Sequence, residues 1–214
     1  MPLTTDAGHV GALVEGATRA HHALDQWLAG LGAIDPAAPT RIDGWRVGHI
    51  ITHLARNADS HVRMLAGEAQ YPGGWRRREG DIETGASRPW DEQLADLAAA
   101  NTRLADAWHT RADWDFIADR AANPRPASRL PFLRWREVEV HRADLGLGYR
   151  FDDMPADYLR RELAELTMLY RASRPIGLTN LPPEALAATP AARVAWLLGR
   201  GDIDGLPPAG VFGA

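Results

Sequence analysis

The sequence predicts a mainly α-helical protein, a four-helix bundle with a small C-terminal α(+β) domain packed on it. Three observations support this fold class. Four long segments repeat apolar side chains at the spacing of an amphipathic helix. Loops that contain proline or glycine join these segments, as in a bundle. No internal repeat or low-complexity stretch interrupts the pattern.

The first predicted helix spans residues 8–32, with apolar side chains at helical spacing from Leu13 to Leu31. A loop with proline and glycine follows it. The second predicted helix covers residues 45–66. Residues 67–89 are rich in glycine and arginine, and we interpret them as a long loop of the kind that is often functional or disordered.

The third predicted helix begins after Pro89, and its apolar stripe runs from Leu94 to Trp108. A short aromatic connector leads to the fourth helix, which we expect over residues 128–145. These two helices complete the predicted bundle.

The pattern changes near residue 150, where we place the boundary between a bundle domain (1–150) and a small C-terminal domain (151–214). The second domain is predicted to contain helices over 155–172 and 191–198, with proline-rich turns between them. It is too small for a large core of its own, so we expect it to pack on the bundle.

The composition excludes several classes of function. A net charge of −4 provides no basic field for nucleic acid or for an anionic membrane. The chain has no cysteine, which excludes disulfides, a zinc ribbon and a thiol nucleophile of its own. Neither a signal peptide nor a membrane span is recognisable, so we expect a cytoplasmic protein.

The fourth helix places two polar side chains where apolar ones are expected. Glu137 and His141 are four residues apart, in the middle of the helix face that carries most of its leucines, whereas Glu139 points to the opposite side. A carboxylate on such a face is unfavourable unless something compensates it. A divalent metal shared by Glu137 and His141 would do so.

Other interpretations stay open at this point. Glu137 could pair with Arg134 or Arg41, and His141 could be a hydrogen-bonded core histidine. Periodicity also leaves the third metal ligand undecided. The candidates are histidines of the first two predicted helices, namely His21, His22, His49, His53 and His61.

Two segments, GWRVGHIITHLARNADSHVRML and LRWREVEVHRADLG, resemble the mycothiol-dependent maleylpyruvate isomerase family, which belongs to the DinB-like metal-binding bundles. The resemblance covers about residues 8–150 and returns in AWLLGRGDIDGL. It implies a zinc ion, or another divalent metal, held by His53, Glu137 and His141. Three protein ligands leave a coordination position open, as in catalytic zinc sites.

The resemblance also implies two catalytic arginines. Arg78 matches an active-site arginine of the family, with Arg76 and Arg77 as neighbouring alternatives, and Arg200 matches one from the C-terminal domain. Residues 150–190 depart from the family pattern, which puts the substrate in question.

The implied activity is a mycothiol-dependent cis-trans isomerisation of a maleylpyruvate-type dicarboxylate. The zinc would bind the thiol sulfur and favour the thiolate, which adds to the double bond and lets it rotate. The absence of cysteine fits a thiol supplied by a small molecule. The alternatives are a thiol S-transferase that acts on an electrophile, and a metal-bearing binding protein without enzymatic activity.

Overall fold

The protein is mainly helical, as the periodicity predicts. None of the helices in the described part of the chain is both long and apolar enough to cross a membrane. The chain divides into two compact units between Leu147 and Gly148. The computed structural model describes residues 7–121, 123–175 and 180–211.

The first unit contains five α-helices, and four of them form a bundle. Helix α1 packs against the fourth and fifth helices, and α2 packs against the third, fourth and fifth. The first, second, fourth and fifth helices therefore enclose one core, which is the predicted four-helix bundle. The five are α1 (Ala7–Gly30), α2 (Val47–Leu65), α3 (Gly74–Ala86), α4 (Trp90–His109) and α5 (Leu130–Asp144).

The ends of two bundle helices follow local sequence signals. Helix α4 begins directly after Pro89, with Asp91 and Glu92 in its first turn, where their charge complements the positive end of the helix dipole. Helix α5 has Pro131 near its start, where the missing backbone N–H has no intrahelical acceptor in any case. The starts predicted for these helices therefore lie close to the observed ones.

Helix α1 packs closely against α5 at Gly16. A Cβ atom there would overlap the ring of Trp135, so only glycine fits against this side chain. Trp135 itself is 1% exposed and is among the largest buried side chains of the described residues. This contact brings the two helices close together at the bundle core.

The prediction of a long loop over residues 67–89 is wrong, because most of this segment forms α3, Gly74–Ala86. This helix buries few side chains, principally Ile82 and Ala86, so it has no apolar stripe that periodicity could detect. Most of its charged side chains are exposed, with Arg78 as an exception that contacts His53, and its packing against α2 holds it in place. Tertiary contact therefore outweighs a weak local signal here.

The connector between α4 and α5 contains a small antiparallel strand pair. Strand β1 (Ile117–Ala118) pairs with β2 (Arg125–Pro126), and Ile117 lies opposite Pro126. A single turn of 3₁₀ helix, Ala127–Arg129, then leads into α5. The aromatic connector expected from the sequence is thus partly ordered by backbone pairing.

The second unit consists of helices in the part that the structure describes, without a strand there. The two helices predicted in this region match α6 and α8, which pack against each other. A short helix also forms in the proline-rich stretch that was expected to contain turns. These elements are a 3₁₀ turn (Phe151–Asp153), α6 (Ala156–Ala172), α7 (Pro183–Ala187) and α8 (Pro190–Leu197). The assignment of 1–150 and 151–214 to functionally distinct domains stays a prediction.

Candidate metal centre

Three side chains from α2 and α5 converge within the bundle. Glu137 and His141 are one turn apart on α5, with 3.4 Å between Glu137 Oε2 and His141 Nε2. From α2, His53 Nε2 approaches the same carboxylate oxygen to 2.9 Å. One ligand atom from each residue lies within 4.8 Å of the others, which is a spacing that a metal ion can bridge. The structure thus brings together the three residues predicted as metal ligands.

The second nitrogen of each imidazole also faces a charged group. His141 Nδ1 lies 3.0 Å from Asp144 Oδ2, and Asp144 is only 1% exposed. His53 Nδ1 lies 2.9 Å from Nη2 of Arg78, which donates because a guanidinium has no acceptor. The Asp144 carboxylate is the kind of outer partner that orients a metal-binding histidine, whereas Arg78, as a donor, places the proton of neutral His53 on Nε2, and that proton would leave when a metal binds there. Asp144 was not predicted, although its spacing of three residues from His141 on a helix is a usable signal.

The electrostatic environment keeps Glu137 ionised. Burial alone would raise the pKa of its carboxyl, but hydrogen bonds from His141 and His53 hold that pKa well below its ordinary value. Burial lowers the pKa of His53 to about 4, so this ring is neutral at neutral pH. Burial also opposes the charge on His141, but hydrogen bonds to Asp144 and Glu137 raise its pKa to about 9. The centre is therefore a carboxylate flanked by one neutral and one basic imidazole.

Trp45, directly before α2, covers one side of the centre. Its ring centroid lies 5.4 Å from that of His53 and 6.3 Å from that of His141. The two imidazoles are themselves 4.7 Å apart, in an edge-on arrangement. The indole therefore limits the access of water from that side. Nothing in the sequence singles out Trp45 beyond its place in the segment GWRVGHIITHLARNADSHVRML.

The other histidine candidates lie elsewhere. His49 Nε2 contacts Glu83 at 3.1 Å, on the side of α2 that faces α3. His22 is exposed on α1, whereas His21 is buried and accepts a hydrogen bond from Arg134. His61 is buried two turns beyond His53 on α2.

Arg134 forms a buried polar cluster beside the centre. Its side chain is fully buried and donates hydrogen bonds to four neutral acceptors on three other helices. Burial lowers the pKa of Arg134 to about 10, and the guanidinium stays charged. This set, called the Arg134 cluster below, joins Arg134 to His21 Nε2, Leu54 O, Asn57 Oδ1 and Asn101 Oδ1 at 2.8–3.0 Å. Sequence reasoning offered Arg134 only as a possible partner of Glu137.

A surface cavity of about 490 Å³ lies next to α3, and its lining includes Arg78 but none of the three candidate metal ligands. Arg78 lies on α3, contacts His53 and lines the cavity together with Ser60 and Tyr71. Of the two neighbouring arginines, Arg76 is exposed, whereas Arg77 lines the cavity and pairs with Asp81 on its own helix.

Arg200, the other predicted catalytic arginine, belongs to the second unit. It follows α8, and its backbone N–H donates to the carbonyl oxygen of Ala195 at 2.8 Å. Its proposed role stays a prediction.

Comparison with known proteins identifies the bundle. Residues 17–146 match the family described as the mycothiol maleylpyruvate isomerase N-terminal domain. Two crystal structures, of the mycothiol-dependent maleylpyruvate isomerase and of a histidine-to-alanine mutant of it, have the same fold. Each is 23% identical to this chain with a TM-score of 0.76, over 90% of both chains. No curated protein matches the sequence. Because the matched segment is more than half of the chain, this protein belongs to the family of the mycothiol maleylpyruvate isomerase N-terminal domain.

Proposed function

We propose that this protein is a metal- and thiol-dependent isomerase of maleylpyruvate-type dicarboxylates, with mycothiol as the thiol. The observation that carries the proposal is the cluster of His53, Glu137 and His141, in a chain whose family takes its name from that reaction. We assign these three residues as ligands of a divalent metal, with zinc as the first candidate.

The cluster fits zinc on three counts. Two imidazole nitrogens and one carboxylate oxygen are a common donor set of catalytic zinc sites. Ligand bonds of about 2.0–2.1 Å in a tetrahedral site separate neighbouring ligand atoms by roughly 3.3 Å. Glu137 Oε2 lies 2.9 Å from the ligand nitrogen of His53 and 3.4 Å from that of His141, close to that separation. Asp144 also supplies the outer carboxylate that zinc-binding histidines commonly have.

The metal, when bound, would supply Lewis acidity that lowers the pKa of a thiol at its open position. The chain has no cysteine, so the thiol must come from a small molecule. A candidate metal centre in a chain without cysteine therefore supports mycothiol as the cosubstrate.

The reaction itself needs only a reversible addition. The thiolate forms a C–S bond to one alkene carbon, and the π electrons move to the conjugated carbonyl oxygen as an enolate. The former double bond is now single and rotates. The enolate then reforms the double bond and expels the thiolate, so that no proton or electron is consumed overall.

We assign Arg78 to bind the negatively charged groups that take part in this reaction. Its guanidinium lines the cavity beside His53, and it forms no ion pair with a carboxylate in the described ranges of the chain. It can therefore bind a substrate carboxylate and stabilise the developing enolate. We assign Arg200 to the second carboxylate. The buried charge of Arg134 also favours anions at this end of the bundle.

A coupled test uses purified protein, mycothiol and maleylpyruvate, with formation of the trans isomer as the readout. We expect turnover that needs both metal and thiol and that falls at least about 100-fold in Arg78→Gln, as for loss of a charged transition-state contact. Arg77→Gln is the matched control, because Arg77 lines the same cavity but pairs with Asp81. Full activity after chelation of the metal would overturn the proposal.

An S-transferase is the second candidate. It is favoured by one observation: residues 150–190, which lie outside the matched segment 17–146, depart from the family pattern. An enzyme that keeps the centre and binds a different electrophile would retain the thiol adduct. Consumption of mycothiol in proportion to product would identify the transferase, whereas an isomerase regenerates the thiol. A metal-bearing binding protein would show no turnover with either substrate class.

A further inference from the structure

An exposed tryptophan lies close to the candidate arginine. Trp75, in the first turn of α3, is 47% exposed, which is unusual for so large an apolar side chain. Its ring centroid lies 5.1 Å from that of Tyr71. The guanidinium carbon of Arg78 lies 5.6 Å from the Tyr71 centroid and 5.5 Å from the Trp75 centroid. The two rings and the cation thus form one compact group, called the aromatic clamp below.

The local sequence builds this clamp. Gly73 and Gly74 both have a positive φ, of 89° and 74°, in the left-handed region that glycine adopts readily. The chain therefore reverses between Tyr71 and Trp75, so the ring before α3 returns onto the first turn of the helix. Arg78 is three residues after Trp75, on the same side of α3.

The clamp holds a side chain that otherwise has much freedom. An arginine loses much of its side-chain conformational entropy when it is fixed in one conformation. Arg77, one residue earlier, is fixed by its ion pair with Asp81. For Arg78, the hydrogen bond to His53 Nδ1 holds one end of the guanidinium. The aromatic clamp adds two rings at cation–π distance from the guanidinium, and the Tyr71 hydroxyl is a further hydrogen-bond partner of Arg78.

Tyr71 is itself anchored. Its hydroxyl accepts a hydrogen bond from Nε2 of Gln70 at 3.1 Å, and Gln70 is buried and accepts the backbone N–H of Ala121. The clamp therefore connects to the bundle through Tyr71, whereas Trp75 closes it from the solvent side.

We propose that Tyr71 and Trp75 are positioning residues, which fix the guanidinium of Arg78 at the cavity beside the metal centre. The proposal rests on the proposed function only in that Arg78 is assigned to bind the substrate carboxylate. The restraint of Arg78 by the two rings does not depend on which reaction the protein catalyses.

The first test therefore measures Arg78 directly. Phenylglyoxal modifies accessible, mobile arginines, and the rate at Arg78 is followed by mass spectrometry of its peptide. We expect this rate to rise about 2- to 5-fold in Trp75→Leu, the equivalent of a cation–π contact at an exposed site, and to stay near the wild-type rate in Trp75→Phe. Ile117→Ala is the matched control, because Ile117 is 65% exposed and lies outside the cavity.

The second test uses the isomerase assay. We expect Trp75→Leu to raise the KM for the dicarboxylate by a similar factor, with unchanged metal content and a KM for mycothiol near that of the wild type. Tyr71→Phe keeps the ring and loses the hydroxyl, whose partners are Gln70, Arg78 and Ser60, whereas Tyr71→Leu also loses the ring, so the effect of Tyr71→Leu should be the larger.

The outcomes separate the two proposals. An Arg78 modification rate that does not change in Trp75→Leu and Tyr71→Leu overturns the clamp, whatever the enzyme does. A raised rate in a protein that shows no turnover with maleylpyruvate retains the clamp and overturns the proposed function. A raised rate with an unchanged KM refutes the role of the clamp in substrate binding.

Discussion

His141 Nδ1 lies 3.0 Å from the buried carboxylate of Asp144, on the side of the imidazole away from the atom that faces Glu137. The geometry is that of a charge contact, and the negative charge of Asp144 favours the proton of a neutral His141 on Nδ1, which leaves Nε2 free as a ligand atom. We expect Asp144→Asn to weaken zinc affinity by about 10- to 100-fold, because an amide lacks the charge that holds this arrangement. Competition with a chromophoric chelator measures the affinity.

The control for this variant is Asp106→Asn, which changes an exposed aspartate of α4. Both variants should keep the helical circular dichroism of the wild type. Equal zinc affinity in the two variants would contradict an orienting role for Asp144.

Removal of any one metal ligand should leave the protein folded but without stoichiometric metal. We expect His53→Ala, Glu137→Ala and His141→Ala each to bind far less than one equivalent, because two donors rarely hold zinc in competition with a chelator. His49→Ala is the matched control, since this histidine is one turn from His53 but contacts Glu83. Elemental analysis after dialysis gives the result, and a metal-free His49→Ala would show that the ligand from α2 is wrongly assigned.

Stability should fall as the pH falls, in part through His61. Burial lowers the pKa of His61 to about 3, and its Nδ1 has no hydrogen-bond partner within the described ranges. The unfolded chain therefore binds a proton near pH 6.5, whereas the folded chain does so only near pH 3. The stabilisation that comes from neutral His61 is fully present above pH 6.5 and is lost progressively as the pH falls from 6.5 towards 3. We expect His61 alone to contribute a loss of about 2 kcal/mol in the free energy of unfolding between pH 7.5 and pH 5.

Urea unfolding at several pH values tests this prediction. His61→Leu should reduce the dependence of the unfolding free energy on pH, whatever its effect on stability at neutral pH, and the rest of the dependence comes from groups such as His21 and His53, whose pKa values are also lowered by burial. Replacement of exposed His22 by leucine is the control and should leave the slope unchanged. If His61→Leu shows the same slope of unfolding free energy against pH as the wild type, the proton taken up on unfolding belongs to another group.

The Arg134 cluster should be intolerant of lysine. The guanidinium of Arg134 donates to one acceptor on α1, one on α4 and two on α2. The donors of a lysine ammonium are too close together to reach all four acceptors. We expect Arg134→Lys to lower the free energy of unfolding by about 2–4 kcal/mol, because buried acceptors lose their partners. Arg103→Lys, at an exposed ion pair with Asp59, should change it by less than about 1 kcal/mol. Equal effects of the two changes in urea unfolding would argue against the cluster as a structural element.

The sequence was sufficient for the main helices, because their apolar positions repeat at the helical period. Helix α3 escaped prediction for the opposite reason: its burial depends on α2, and little of that dependence is visible in its own residues. Glu137 and His141 could be paired from the helix geometry of one segment. His53 needed the family resemblance, because the choice among the histidines of α2 depends on how that helix is rotated against α5.

The helix wheel of α5 was only partly informative. On the helix wheel only the apolar face of α5 is expected to be buried. In the structure the polar residues Arg134, Glu139 and Asp144 are buried as well. The helix lies against both α1 and α2, so most of its circumference is covered. Buried polar side chains with partners on other helices cannot be recognised from one segment. For the same reason, Trp45 and the aromatic clamp became evident only in three dimensions.

The separation of the metal ligands along the chain has a consequence for assembly. His53 and Glu137 are 84 residues apart, and the hydrogen bond between them closes a loop that contains α3, α4 and the strand pair. A chain still being synthesised, or one trapped with α5 undocked, therefore offers only fragments of the site. Uptake of the ion should follow docking of α5 in a refolding experiment, and a spectroscopically visible ion such as cobalt would then time the last step of bundle formation.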